Sequence, residues 1–118
     1  MKPYAAKIRY LDRLVQQWAC AQRSYISGMP AECGHHHVGR SNLLLRWDLR
    51  NIIPLTAEEH RAVHDGRLRY DVNNPFRAAY LRECRHKVLK DYLLEHSLTV
   101  DEFIKLREQE LLQALGRK

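Results

Sequence analysis

Five of the seven histidines in this chain of 118 residues lie within the 30 residues from His35 to His64. Three of them are consecutive, at 35–37, and the other two, His60 and His64, are four residues apart. A neutral imidazole can bind a divalent metal ion, and it can also take a proton from water at cellular pH. Hydrolysis of a phosphodiester needs both, because a cation neutralises charge on the phosphate while a base activates the water.

Two short strands are predicted around the first histidines, at 33–38 and 51–55, with a loop between them. Side chains alternate along a strand, so His36 and His37 would point in different directions. One would then face a metal ion and the other the substrate. We expect His37, which is followed by Val38, to be the base, and His36 to be a metal ligand.

A helix is predicted to carry the other two histidines. Thr56 and Glu59 have the spacing of a capping box, which predicts that a helix begins there, and Gly66 is suited to its end. His60 and His64 would then lie one turn apart on one face of the helix. We expect both to be metal ligands.

Length and charge limit the remaining alternatives. The length predicts one domain, spanning 1–118. Twenty Lys and Arg residues against 14 Asp and Glu give a net charge of +6, which favours a polyanionic partner such as nucleic acid. Without a long apolar run, a soluble, cytoplasmic protein that has no membrane partner is expected. Three cysteines without a CxxC pair indicate reduced thiols rather than disulfides.

Helices are predicted on both sides of the histidine region. Apolar residues at three- and four-residue spacing predict an N-terminal helix at 5–22. A helical hairpin joined near Ser97 is predicted at 75–116, and its second helix is predicted to begin at a capping box of Thr99 and Glu102. The first helix of the hairpin is predicted from a four-residue recurrence of Phe76, Tyr80, Cys84, Val88 and Tyr92. The expected fold class is therefore α+β, with a small core of two strands and a helix inside a mainly helical domain.

The histidine region resembles a known nuclease motif. The residues that carry the resemblance are His36-His37-Val38, Asn51 and His60-x-x-x-His64. They are similar to the motif of the HNH endonucleases, whose ββα-metal core has two strands, a loop and a helix in this order. The similarity covers about 32–67, and the spacing from Asn51 to the helix histidines resembles that of the colicin-type bacterial DNases.

This resemblance implies a metal-dependent hydrolase that nicks or cleaves DNA with low sequence specificity. It implies that His37 is the general base, and that Asn51 ties the loop to the second strand and helps to orient the base. The ligands of one divalent ion, Mg, Mn, Ni or Zn, would be His36, His60 and His64. A cut through both strands by one such site would need two successive nicks or a homodimer, for which the terminal helices offer a surface.

A looser resemblance extends to small HNH nucleases of phages and prophages, including recombination-associated ones. It implies that DNA, and proteins of recombination or phage DNA processing, are partners. Many of these nucleases carry a CxxC before the histidines, whereas Arg23 here stands three residues after Cys20, where the second thiol would be. We therefore predict no structural zinc site, which would need four ligands.

The run of three histidines leaves the register open by one residue. His36 can be the ligand with His37 as the base, or His35 can be the ligand with His36 as the base. The first register is preferred because the family usually has an aliphatic residue after the base, and Val38 has that position. A third alternative is a nickel- or zinc-binding tract without catalysis.

Arginines in the same region are expected to bind DNA phosphates, since a guanidinium group binds phosphate through two hydrogen bonds. The expected residues are Arg40, Arg46, Arg50 and Arg67. The alternative to a nuclease is a noncatalytic, metal-containing module that binds nucleic acid. The spare histidine favours the nuclease, because a purely structural metal site has no need of a base.

Overall fold

The computed structural model describes residues 2–117 and has a mixed α+β fold. Across these residues there are five α-helices and one antiparallel sheet of two strands, which confirms the α+β class. The helices are α1 (Ala5–Cys20), α2 (Ala57–His64), α3 (Pro75–Cys84), α4 (Leu89–Glu95) and α5 (Val100–Ala114), and the strands are β1 (Cys33–His36) and β2 (Ile52–Leu55). None of these helices combines the length and the apolar composition that a membrane span requires.

The sheet pairs β1 with β2 so that His35 lies opposite Ile53 and His36 lies opposite Ile52. All four residues of β2 are buried, as expected for a strand covered on both faces. Both strands are shorter than predicted. The pairing nevertheless extends one residue beyond β1, because the backbone N–H of His37 donates to the carbonyl of Asn51 over 2.9 Å.

Helix α1 packs against both strands and against α5. Its apolar stripe is buried, and Leu11 and Ala19 are fully covered. The close approach of α1 to β1 depends on Gly34. A Cβ atom at this position would lie 2.7 Å from Cγ2 of Ile52 and 2.9 Å from Cβ of Ala19. Gly34 therefore fixes which face of β1 is turned toward α1.

Replacing Gly34 with alanine is expected to destabilise the protein by about 1–3 kcal/mol, because the new methyl group overlaps two well-packed side chains. Urea unfolding monitored by circular dichroism measures this change. Gly39→Ala is the matched control, since no atom lies within 4 Å of a Cβ built there. Equal unfolding midpoints for the two variants would contradict this account of the contact between α1 and β1.

The long segment between the strands belongs to the hydrophobic core. Leu44, Leu45 and Trp47 in this segment are at most 1% exposed. The guanidinium group of Arg107 in α5 donates to the carbonyl oxygen of Leu44 over 3.1 Å. The segment is therefore anchored in the core and to α5, and it contacts β1 through the carbonyl of Arg46 and the ring of His36.

The C-terminal region differs from the predicted hairpin. The helix predicted to continue through Tyr92 ends at Cys84, and a separate helix, α4, begins after Val88. Two residues of the predicted core face are exposed, Phe76 by 87% and Val88 by 58%. A strict four-residue repeat drifts by about 40° per step on a helix, so over four steps the residues leave a common face. The capping box predicted at Thr99 is confirmed at the start of α5.

Candidate metal centre

Helix α2 positions two histidines through a well-defined N-terminus. Oγ1 of Thr56 accepts from the backbone N–H of Glu59 over 3.2 Å, and the Glu59 carboxylate accepts from the N–H of Thr56 over 2.8 Å. These reciprocal bonds confirm the predicted capping box. His60 and His64 consequently lie one turn apart, with their Nε2 atoms 3.0 Å from each other.

His35 of β1 completes a cluster with these two side chains. Its ring centroid lies 5.2 Å from that of His60 and 5.3 Å from that of His64. One ring nitrogen from each of the three residues lies within 4.8 Å of the others. Three imidazole nitrogens in this arrangement fit a divalent ion and leave coordination positions free for other ligands. We name His35, His60 and His64 the three-histidine cluster.

Burial favours the neutral, metal-binding form of this cluster. It lowers the pKa of His35 to about 4, and repulsion from His60 and His64 contributes to the same shift. The pKa of His60 is also lowered, first by burial and then by the neighbouring His64. Because a metal ion competes with protons for imidazole nitrogen, a lowered pKa favours metal binding near neutral pH.

His36, which the preferred register makes a metal ligand, lies outside the three-histidine cluster. Its Nε2 atom is 2.9 Å from the backbone carbonyl oxygen of Arg46 instead. Positions 34 and 36 share one face of β1 because side chains alternate along a strand. The close contact between Gly34 and α1 turns this face toward α1 and the loop. His35 alternates to the other side and faces α2. The geometry thus corresponds to the second register, with His35 in place of His36.

The contact with Arg46 also determines where the neutral ring of His36 carries its proton. A carbonyl oxygen can only accept, so Nε2 of His36 must be the donor, and Nδ1 keeps a free lone pair. Burial lowers the pKa of His36, and the charges of Arg40 and Arg46 lower it further, while the bond to the carbonyl opposes them. His36 therefore has the neutral form and the free nitrogen that a proton acceptor requires.

The three-histidine cluster and His36 line the same cleft, which has a volume of about 610 Å³. Its walls come from α1, β1, α2 and the loop after β1. The lining residues are Asp12, Gln16, Gly34, His35, His36, Gly39, Arg40, His60 and His64. The cleft thus contains candidate metal ligands, a candidate base and an arginine that could contact phosphate.

His37, the base in the preferred register, does not line this cleft. Its Nδ1 atom lies 2.7 Å from the hydroxyl of Tyr70, and its ring borders a separate cavity next to α3. Burial lowers the pKa of His37, and the charges of Arg85 and Arg77 add to this effect. His37 therefore lies at a different cavity from His36 and the three-histidine cluster.

Asn51 lies just before β2 and binds the loop that follows β1. Its side chain is fully buried and bonds to both polar backbone groups of Val38, accepting from the N–H over 2.7 Å and donating to the carbonyl over 2.9 Å. It also donates to the carbonyl of Leu45 over 3.2 Å. Asn51 thereby ties the start of β2 to both parts of the loop that follows β1.

Asp12 of α1 was not identified from the sequence, yet it organises the loop that carries the contact to His36. Its carboxylate accepts from Nε and Nη2 of Arg46 over 3.0 and 2.7 Å. It also accepts from Nε1 of Trp47 over 2.9 Å and from Nη2 of Arg40 over 3.1 Å. Burial alone would raise the pKa of Asp12, but the bonds from Arg46 and Trp47 hold this pKa below its usual value.

Gln16, one turn after Asp12, holds β1 directly. Its amide nitrogen donates to the carbonyl of Gly34 over 3.2 Å, and its amide oxygen accepts from the N–H of Gly34 over 2.9 Å. Asp12 and Gln16 therefore position the loop and the strand from one face of α1. A polar residue on an amphipathic helix gives no local sequence signal for such a role.

The four arginines expected to bind phosphate are all paired with carboxylates. Arg40 and Arg46 pair with Asp12, and Arg67 pairs with Asp65. Arg50 pairs with the buried Asp48, and its guanidinium group lies 3.6 Å from the ring centroid of Tyr80. Arg40 is the one of these four that lines the cleft, and its side chain is 59% exposed.

Comparisons of the chain with models of protein families, with curated proteins and with solved structures found no match. Support for a function therefore comes from the histidine motif and from the geometry of the cleft. The motif lies between β1 and the end of α2, and the cleft adds Asp12 and Gln16 of α1 to this segment.

Proposed function

We propose that this protein is a metal-dependent endonuclease of the HNH type that hydrolyses phosphodiester bonds in DNA. In this proposal β1, the following loop, β2 and α2 form the ββα-metal core. The single observation that carries the proposal is the shared cleft, which His36 and the three-histidine cluster both line. A base and a metal site in one cleft suit hydrolysis of a phosphodiester.

The residues that would hold the ion are His35, His60 and His64, which fit one divalent cation. Imidazole ligands bind Zn, Ni and Mn more strongly than Mg, which prefers oxygen ligands, although cellular abundance also decides which ion is used. The bound ion would supply positive charge beside the phosphate that is attacked.

His36 is the proposed general base. Its Nδ1 would take the proton from the attacking water, while the carbonyl of Arg46 holds Nε2–H and stabilises the protonated ring. Asn51 maintains the loop that carries this carbonyl, and Asp12 anchors the Arg46 side chain. Both are positioning residues, since they act on the base through the loop.

Arg40 is the proposed phosphate contact in the cleft. Its exposed guanidinium group shares the carboxylate of Asp12 with Arg46, which is much less exposed. An exposed ion pair contributes little stability, so a substrate phosphate can compete with Asp12 for Arg40. The half-buried Arg46 would keep its structural contact while Arg40 binds the substrate.

Removal of the metal tests the proposal. Full-length protein is expected to convert supercoiled plasmid to the nicked form with Mg, Mn, Ni or Zn, to stop when EDTA is added, and to recover with excess metal. The double variant His60→Ala/His64→Ala, purified identically, controls for contaminating nuclease. Nicking that continues in EDTA, or that the double variant retains, argues against the proposal. Plasmid binding without nicking under any of these ions would favour the noncatalytic module.

A further inference from the structure

A second cavity of about 300 Å³ lies beside β1, and the proposed catalytic site does not use it. It is lined by His37, Val38, Tyr70, Asp71, Val72, Ala78, Leu81, Arg82 and Arg85. The Nδ1 atom of His37 is engaged by the hydroxyl of Tyr70, which leaves Nε2 without a hydrogen bond among the described residues. His37, which is not part of the three-histidine cluster, therefore has a defined position at this cavity.

The charges of this second cavity are available to a ligand. Arg82 and Arg85 are exposed on the C-terminal part of α3 and just after it, and neither forms an ion pair within residues 2–117. Asp71 is the one acidic residue in the lining, so the two guanidinium groups leave the cavity with net positive charge. The arginines expected from the sequence to bind phosphate are, by contrast, each paired with a carboxylate.

Tyr70 connects the second cavity to the three-histidine cluster. Its ring centroid lies 5.9 Å from that of His35 and 5.6 Å from that of His37. His37 directly follows β1 and lies two residues after His35, which corresponds to about 7 Å along an extended chain. A polynucleotide strand with one phosphate in the cleft would therefore pass close to the second cavity with a neighbouring phosphate.

We propose that the second cavity binds a backbone phosphate of the nucleic-acid strand, next to the phosphate that is hydrolysed in the cleft. Arg82 and Arg85 provide guanidinium groups that can each donate two hydrogen bonds to phosphate oxygens, and His37 provides Nε2. This site rests on the proposed nuclease function, because the strand is placed by the cleft. It assigns a substrate-binding role to the surplus histidine.

Binding in the absence of metal tests this site without the need for cleavage. The probe is a fluorescein-labelled, 12-nucleotide single strand of DNA, titrated in EDTA and followed by anisotropy. Arg82→Gln/Arg85→Gln is expected to raise the Kd about 10-fold, and to reduce the slope of log K against log salt by about 0.7, the value for one phosphate on a single strand. The matched control, Lys105→Gln/Arg117→Gln, removes two exposed charges on and after α5 and is expected to change the Kd by less than about twofold.

The outcomes separate this site from the nuclease proposal. Equal losses in the two double variants would mean diffuse charge attraction and would overturn the site, as would an unchanged Kd. If inorganic phosphate competes as well as an unlabelled strand at equal phosphate concentration, the cavity is a free-phosphate site and the strand proposal fails. If Arg82→Gln/Arg85→Gln loses binding, the control variant does not, and the protein nicks no plasmid, the phosphate site is retained and the nuclease proposal is rejected.

Discussion

Alanine in place of His36 is expected to lower the kcat of plasmid nicking by about 100-fold to about 10,000-fold, which is the range for loss of a general base. The reason is that His36 lines the cleft of the three-histidine cluster, and that its Nδ1 is free while its Nε2 is held by the carbonyl of Arg46. Nicking rates with saturating plasmid and Mn measure the change. Metal affinity is expected to remain, because His36 is not part of the cluster.

His37→Ala is the matched comparison, since the two side chains are neighbours and both are half-buried. His37 contacts Tyr70 and borders the second cavity, so its loss is expected to act mainly on KM and to lower kcat less than about 10-fold. The preferred register from the sequence predicts the opposite, a large loss of kcat in His37→Ala and a small one in His36→Ala. A large loss of kcat in His37→Ala with near-normal kcat in His36→Ala would therefore reject His36 as the base.

The second large effect is expected on metal binding, in His35→Ala. This change removes one of three imidazole nitrogens that lie within 4.8 Å of one another. Outer-shell partners of metal ligands already contribute about 10-fold to 100-fold in affinity, so the loss of a direct ligand is expected to exceed about 100-fold. Competition between the protein and a chromogenic zinc chelator measures the affinity at neutral pH.

Two histidine variants serve as controls in the same titration. His36→Ala removes an adjacent imidazole on the opposite face of β1, and His86→Ala removes an exposed imidazole just after α3. Both are expected to bind zinc within about threefold of the unaltered protein. Should His36→Ala lose as much affinity as His35→Ala, the metal site would not be the three-histidine cluster.

Helix starts are the part of this fold that the sequence predicts best, because their signals are local. Thr56 and Glu59 form the expected capping box, as do Thr99 and Glu102. Each needs only a hydroxyl and a carboxylate three residues apart, whatever the rest of the chain does. The spacing of His60 and His64 on one helix face follows directly from the first of them.

The register of the three histidines could not be predicted, because the deciding contact lies far away in the sequence. Side chains of adjacent residues point to opposite faces of a strand, but this alternation does not determine which face of β1 is turned toward α2. That choice depends on Gly34, which packs against Ala19 of α1 and so directs His36 away from the cluster. HNH endonucleases usually carry an aliphatic residue after the base, whereas Val38 after His37 is a buried core residue in this fold.

The roles of Asp12 and Gln16 also could not be predicted from the sequence. Both lie on a helix whose apolar stripe is easily recognised, and polar residues beside such a stripe are normally solvated. Their partners, Arg46 and Gly34, are 34 and 18 residues away along the chain. Only the packing of α1 across β1 brings these groups within hydrogen-bonding distance.

The bond pattern of Gln16 has a further consequence for self-association. One edge of β1 pairs with β2, and at the other edge the amide of Gln16 occupies both polar backbone groups of Gly34. An unpaired strand edge can recruit a strand from another molecule, which leads to aggregation. The side chain of Gln16 thus blocks a strand from another molecule from pairing at Gly34, which counters edge-to-edge association of the small sheet.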